Sequence, residues 1–394
     1  MRERSIAALI VPMEEMADPS FRWLSRGAKL TRGVMVARPG QELLLVHHPM
    51  ERDEAAASGL PTLSVQQFGY DEIFRSEPDL GLAWSRLFSA MLRSLAVDGP
   101  IAFFGRPPIH LYAEVLDGLR AEGWSIWKGG GEDLLQLARK RKDARELRLI
   151  GSVGERTEKA VQSVRLLLRS AVIRDGIAHR DGKALSIGDL KERITSEIIR
   201  LGMTEDHETI VSQGRDAGIP HSRGDATAPV HASLPLVIDI FPADRQSGYF
   251  FDLTRTFCIG SIPGRLREMH AQVLEAFDLA VERCRAGTRA SDLQDLVCDF
   301  FEERGHPTVR STPATHEGYV HGLGHGVGLE VHEKPSFSLH RANADRIETG
   351  DVLTIEPGLY YPDEGLGVRI EDTLFVREDG RLETFCRSSR ALEP

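Results

Sequence analysis

Five side chains in the C-terminal two thirds of the chain have the types needed to hold hard or borderline metal ions: Asp239, Asp252, His325, Glu356 and Glu371. Two of the carboxylates lie in the strand-like segments Leu236-Val-Ile-Asp239 and Gly248-Tyr-Phe-Phe-Asp252-Leu-Thr-Arg-Thr-Phe257. The other two lie in Leu353-Thr-Ile-Glu356-Pro-Gly358 and Gly367-Val-Arg-Ile-Glu371-Asp-Thr373, downstream of the run His321-Gly-Leu-Gly-His325-Gly-Val-Gly-Leu-Glu-Val-His332-Glu333. Four carboxylates converging in a partly buried site repel one another, so the site must take up either protons or cations. Two divalent ions would cancel that charge, and five ligands suffice for two ions. A donor set of carboxylates with one imidazole suits Mn, Co, Fe or Zn, and it lacks the thiolates of a structural zinc site.

Strand parity explains how these groups can meet. Side chains alternate along an extended chain, so Thr354 points with Glu356, and Arg369 with Glu371 and Thr373, while Val368, Ile370 and Leu374 face the other way. Asp252, Thr254 and Thr256 likewise separate from Phe251, Leu253 and Phe257. Pro357 biases Glu356 away from helix, as expected of a ligand at a strand end. Glycines at 322, 324, 326 and 328 make a regular helix costly across the histidine run and predict a loop that aims imidazoles inward.

The order Asp, Asp, His, Glu, Glu, with the contexts Gly-Tyr-x-x-Asp-x-Thr-Arg-Thr, His-Gly-x-x-His-x-x-Gly-x-x-x-His-Glu, Glu-Pro-Gly and Gly-Val-Arg-Ile-Glu-Asp, resembles the two-metal pita-bread peptidases of family M24: aminopeptidase P, prolidase and methionine aminopeptidase. Four linked motifs in one order make a chance match very improbable, although any one alone is weak. The resemblance implies that Asp239 is a terminal ligand of one ion, that Asp252 and Glu371 bridge both, and that His325 and Glu356 hold the other. It matches His221, in Gly218-Ile-Pro-His221, and His332 to substrate-facing histidines. His321 matches the extra histidine of the proline-specific members, and Arg369 the arginine beside the last ligand. One departure is the gap from Asp239 to Asp252, which is longer than usual. An even insertion in a hairpin turn leaves parity intact, so Asp239 is retained with Asp244 as the competing candidate. Phe241-Pro242 also replaces the small residue common after the first aspartate.

The implied architecture is α/β (α+β). A small N-terminal creatinase-like α/β domain over 1–138 precedes a pita-bread domain over 139–394, with a pseudo-twofold, mostly antiparallel sheet flanked by helices. In the first part, strands are expected at Ile6–Val11, Val34–Ala37, Leu43–Val46 and Ile101–Phe104, broken by Pro39-Gly40 and Gly105-Arg-Pro-Pro108. Gly129-Gly-Gly131 punctuates the boundary. Arg139-Lys-Arg-Lys142, beside Asp143 and Glu146, reads as the solvated start of a long helix rather than a nucleic-acid contact. Further on, Leu190, Ile194 and Ile198 follow a cap at Ser186, and Leu293, Leu296, Val297, Phe300 and Phe301 form a stripe after Ser291.

A 394-residue chain with 41% hydrophobic and 27% charged residues has the composition of a soluble globular protein of two domains. A net charge of −10 disfavours nucleic acid or an anionic membrane as partner. Cys258, Cys284, Cys298 and Cys386 show no metal or framework spacing and read as reduced packing residues. The apolar run Ile6–Pro12 is too short, and too soon followed by Glu14 and Glu15, for a signal peptide or membrane span, so a cytoplasmic protein is expected. No glycine-rich phosphate loop is present. His207, His316 and His340 read as structural, Arg255 as support for the acids, and Tyr360 and Tyr361 as either pocket or packing.

The resemblance implies a homodimeric hydrolase of Xaa-Pro bonds in dipeptides or at the N-terminus of short peptides. It would use two divalent ions, Mn first and Co, Zn or Fe as alternatives, and a metal-bridging hydroxide. The alternatives are a hydrolase of a non-peptide C–N bond in a creatine- or ectoine-like compound, and a non-catalytic binding protein on the same fold.

Overall fold

A computed structural model describes residues 1–13, 18–131, 133–339 and 343–394; Glu14, Glu15 and His340 lie outside them. The chain divides into two compact units, Met1–Ala138 and Arg139–Pro394.

The first unit is built on a five-stranded mixed sheet. Ala8–Met13 pairs antiparallel with Gly33–Ala37 and parallel with Ile101–Phe103, and Leu44–His47 joins Gly33–Ala37 to Thr62–Ser64. Four of these strands match the apolar runs of the sequence. The fifth, three half-buried residues, carries no such run. Period-two alternation divides the sheet into two faces. Ala8 and Ile10 pack with Leu87, Phe88 and Val115 from the helices Leu80–Ser94 and Ile109–Ala121, whereas Leu9, Val11 and Met13 pack with Phe21, Leu24 and Ala55.

The second unit holds the candidate ligands. Ile210–Gln213, Leu236–Ile240 and Leu253–Phe257 form an antiparallel sheet. A second sheet runs in the order Glu333–Ser336, His325–Gly326, Val352–Ile355, Asp372–Val376 and Leu382–Thr384, also antiparallel. The hairpin Gly358–Tyr361 with Leu366–Arg369 lies between, and a bridge from Thr254 to Glu371 ties the sheets together. Behind them, the helices Gly264–Arg283 and Ala290–Glu302 bury Val273, Phe277, Leu293 and Val297 against Leu353, Ile355, Val368, Ile370 and Leu374, the apolar side that parity assigned.

Local signals place two helix starts. Ser186 caps Ile187–Arg200 in a reciprocal capping box with Asp189, and Asp143 does the same with Glu146 for Ala144–Ser170. Ser291 lies inside the helix Ala290–Glu302, whose cap position is taken by Arg289. The basic run is also corrected. Arg139, Lys140 and Lys142 are buried rather than solvated, because each ends on acids of the second unit. All four cysteines are free and buried. Among the described residues, no helix is long and apolar enough to cross a membrane.

Candidate metal centre

Each candidate ligand sits at a strand or at its end. Asp239 lies within Leu236–Ile240 opposite Thr254, and Asp252 immediately precedes Leu253–Phe257. Glu356 follows Val352–Ile355, and Glu371 occupies the short break between Leu366–Arg369 and Asp372–Val376. The extra residues between the aspartates lie beyond the paired register, which runs from Leu236 opposite Phe257 to Ile240 opposite Leu253. Asp244 is engaged elsewhere: it pairs with Arg156 at 2.8 Å and accepts from Ser247 N and Oγ at 2.7 Å each.

Donor atoms of Asp252, His325 and Glu371 all lie within 4.8 Å of one another. His325 Nε2 is 3.3 Å from Glu356 Oε1 and 3.6 Å from Asp252 Oδ2. Asp239 lines the same cavity of about 500 Å³, together with His221, His321, His332, Glu356 and Arg369. Its Oδ2 pairs with Arg369, while Asp239 Oδ1 and Asp252 Oδ1 are buried with no hydrogen-bond partner among the described residues. Orphaned carboxylate oxygens aimed into a cluster of acids fit a cation site, because burial without a counter-charge is costly.

A layer of hydroxyls and guanidinium groups orients the acids. Thr254 Oγ1 donates to Glu371 Oε2 at 2.7 Å and accepts from Arg369 Nε at 3.1 Å. Thr354 Oγ1 accepts from His325 N at 3.1 Å and reaches Glu356 Oε1 at 3.3 Å. Arg255 holds the Glu371 carbonyl at 2.8 Å and Asp372 at 2.7 Å. Such partners fix ligand orientation. Arg369 also donates to Tyr360 OH at 2.9 Å and Pro220 O at 3.3 Å, and Tyr360 OH meets His321 Nε2 at 2.8 Å. Tyr360 therefore belongs to the site, whereas Tyr361 packs away from it on His306.

The electrostatics are those of a metal-free acid cluster. Burial, and then Asp239 and Glu356, push the Asp252 carboxyl well above its usual range; burial, Asp252 and Glu356 do the same to Glu371. Burial raises Glu356 to about 7, with Arg369 opposing and Asp239 assisting. The imidazoles move the other way. Burial lowers His325, and it takes His332 to about 4 with help from His325 and His221, and His321 to about 3 with help from Arg369. Neutral imidazoles and acids that hold protons only for want of a cation suit divalent ions.

The structure thus gathers Asp239, Asp252, His325, Glu356 and Glu371 with His221, His321, His332 and Arg369 around one cavity, and leaves Asp244 outside it. His207, read as structural, lines its wall with Glu208, Arg223 and Phe241. His231, closer in sequence to Asp239 than His221 is, does not line the cavity and pairs its backbone with Gln213 and Ile177. Sequence gave no signal for His207, Glu208 or Arg223, which no motif contains. The threonines were legible from parity.

Residues 149–378 match the model of metallopeptidase family M24, and the chain belongs to that family. It is 36% identical over 173 residues to an Xaa-Pro dipeptidase of Pyrococcus furiosus, a stretch covering 44% of this chain and 45% of that protein. The chain thus matches about half the length of that curated relative. The prolidase structure of Pyrococcus horikoshii OT3 superposes with a TM-score of 0.75 at 22% identity, covering 100% of this chain and 97% of that one. The X-Pro aminopeptidase structure of Thermotoga maritima MSB8 gives 0.76 at 22% identity, covering 98% and 97%. These likenesses carry the fold, which is the pita-bread α/β architecture with mostly antiparallel sheets.

Proposed function

We propose that this protein is a dinuclear metal-dependent peptidase that hydrolyses Xaa-Pro bonds in dipeptides or at the N-terminus of short peptides, with manganese as the favoured ion. The observation that carries this reading is the convergence of Asp252, His325 and Glu371 within 4.8 Å, in a cavity that Asp239 and Glu356 also line. In it, Asp239 would be a terminal ligand of one ion, Asp252 and Glu371 would be shared by both, and His325 and Glu356 would hold the second. Two divalent ions bound there would make a water acidic enough to attack near neutral pH and would polarise the scissile carbonyl.

The chain's own groups do the rest. Glu356, beside Thr354 and His325, carries a proton from the attacking water to the departing proline nitrogen. His332 is neutral at working pH and donates one ring N–H to the carbonyl oxygen as negative charge grows on it. His321 and Tyr360, locked together and to Arg369, form a fixed wall for the substrate, and His221 follows the Pro220 carbonyl that Arg369 holds. An Xaa-Pro bond offers no amide hydrogen, so recognition rests on shape around the ring rather than on a backbone donor. The family resemblance also supports a cytoplasmic homodimer, and the acidic chain disfavours nucleic acid and membrane as partners.

A panel of Xaa-Pro dipeptides, Xaa-Pro tripeptides and creatine-like compounds tests the reading. Turnover of the proline peptides is expected; turnover confined to the small C–N compounds would replace it. At the first aspartate, Asp239→Asn should weaken Mn²⁺ binding strongly, as read by calorimetry, and Asp244→Asn should leave it nearly unchanged. The reverse outcome would move the ligand to Asp244.

The acid cluster also predicts a pH dependence. Glu356, Asp252 and Glu371 have carboxyls raised above their unfolded values in the metal-free protein, so they stabilise it below the unfolded pKa. That contribution is lost as pH rises through the folded values, about 7 for Glu356. The lowered imidazoles of His321, His325 and His332 act in the opposite sense until pH passes their unfolded value of about 6.5, so metal-free protein should lose Tm between about pH 6.5 and about pH 8, while the Tm increase on adding Mn²⁺ should grow over the same window as protons stop competing. An Mn²⁺-induced shift independent of pH would place the ion on other groups.

A further inference from the structure

The basic run Arg139-Lys-Arg-Lys142 is unused by the proposed chemistry, yet Arg139, Lys140 and Lys142 are buried. The side chains of Lys142 and Glu333 are each 1% exposed, and Lys142 Nζ lies 2.8 Å from Glu333 Oε2. Glu333 directly follows His332. Its other oxygen, Oε1, accepts the backbone N–H groups of Leu329 at 2.9 Å and Glu330 at 3.2 Å. Arg139 adds a second cation, 2.5 Å from Glu330 Oε2 and 3.7 Å from Glu333 Oε1.

The loop between the two site histidines is folded around that carboxylate. A Cβ on Gly328 would run into it, so the acid packs directly against the loop backbone at that point. His325 stands at one foot of the loop and His332 at the other, where Gly326 pairs with Glu333 across the strands. The two imidazoles pack edge to face with centroids 4.3 Å apart. Any shift of Glu333 therefore moves a candidate ligand and the candidate oxyanion donor together. Lys142 is fixed independently of the loop, since its backbone N–H donates to Gly350 O at 2.8 Å and Arg141 bridges to Asp351. A buried ion pair is a weak source of net stability compared with apolar packing, but it specifies geometry well when every acceptor is filled.

We propose that Glu333, neutralised by Lys142, is a positioning residue that holds the 325–332 loop so that His325 and His332 face the cavity. The kinetic arm of the test rests on the proposed peptidase function; the metal-binding arm does not. Two double variants remove both buried charges, so neither leaves an orphaned ion to block folding. Lys142→Met with Glu333→Gln keeps an acceptor for the two loop N–H groups, whereas Lys142→Met with Glu333→Ala removes it. Mn²⁺ titration calorimetry and steady-state kinetics on an Xaa-Pro dipeptide should show the alanine double with Kd for Mn²⁺ raised and kcat lowered by about 10–100-fold, with KM within about twofold. The glutamine double should recover both to within about fivefold of the parent. An alanine double that only melts earlier, with parental Mn²⁺ affinity and kcat below its Tm, would make the pair a purely structural contact and overturn the proposal. A glutamine double as impaired as the alanine one would overturn it as well. If the parent hydrolyses no Xaa-Pro substrate, the proposed function fails while the Mn²⁺ titration still decides the loop.

Discussion

Chelation should abolish Xaa-Pro hydrolysis, Mn²⁺ or Co²⁺ should restore it, and Asp252→Ala or Glu371→Ala should reproduce the chelated state irreversibly. The reason is the charge balance of the cavity. Asp252 and Glu371 are both buried; burial, then Asp239 and Glu356, drives the Asp252 carboxyl upward, and burial, then Asp252 and Glu356, drives that of Glu371, which is tolerable only with protons or cations among these acids. Each is proposed to serve both ions, so losing either should cost more bound metal than losing Asp239, which would serve one. A stability measurement separates ligand loss from misfolding. Removing a mutually repelling carboxylate relieves strain in the metal-free protein, so metal-free Asp252→Ala should melt no earlier than its metal-free parent, while the Tm increase on adding Mn²⁺ largely disappears. Full activity in metal-free protein would end the mechanism. Metal content equal to the parent in both variants would end the bridging assignment.

The convergence of the candidate ligands on one cavity was readable because its signals are local. Alternation along Leu236–Ile240 and Leu253–Phe257 sends Asp239 and Thr254 to one side whatever the rest of the chain does, and the proline after Glu356 marks a strand end without tertiary information. The longer gap between the aspartates leaves this register intact for the same reason: the added residues lie beyond the ladder, and a pairing with period two is blind to what the turn contains. Sequence reasoning failed where a residue's meaning is set by distant partners. Arg139-Lys-Arg-Lys142 looks solvated because charged runs usually are, and its acids arrive from positions 330, 333, 348 and 351. His207 lies in no motif and reaches the cavity wall only through the fold. The strand Thr62–Ser64 escaped because three half-buried residues carry too little alternation to register.

His332→Ala should retain metal and fold yet lose kcat/KM by about 10²–10³-fold, the effect of removing one donor aimed at a developing oxyanion. Three features of this imidazole point to that role. Its ring packs against His325 at the cavity and is only one residue from the carboxylate that fixes the loop. Burial, with His325 and His221 nearby, holds its pKa at about 4, so it is a neutral donor across the working range and cannot repel bound cations. It is also not needed for the cluster in which Asp252, His325 and Glu371 gather their donor atoms. His325→Ala should behave in the opposite way, losing Mn²⁺ from the site and activity with it. His332→Gln offers a finer test, because an amide N–H can replace part of the donor function, so its kcat should lie between those of His332→Ala and the parent. If His332→Ala kept the parent's turnover on its best Xaa-Pro substrate, the ring would be packing alone. Transition-state stabilisation would then have to come from the metal site without a histidine donor, and hydrolysis of small non-peptide C–N bonds would become the stronger reading of the same cavity.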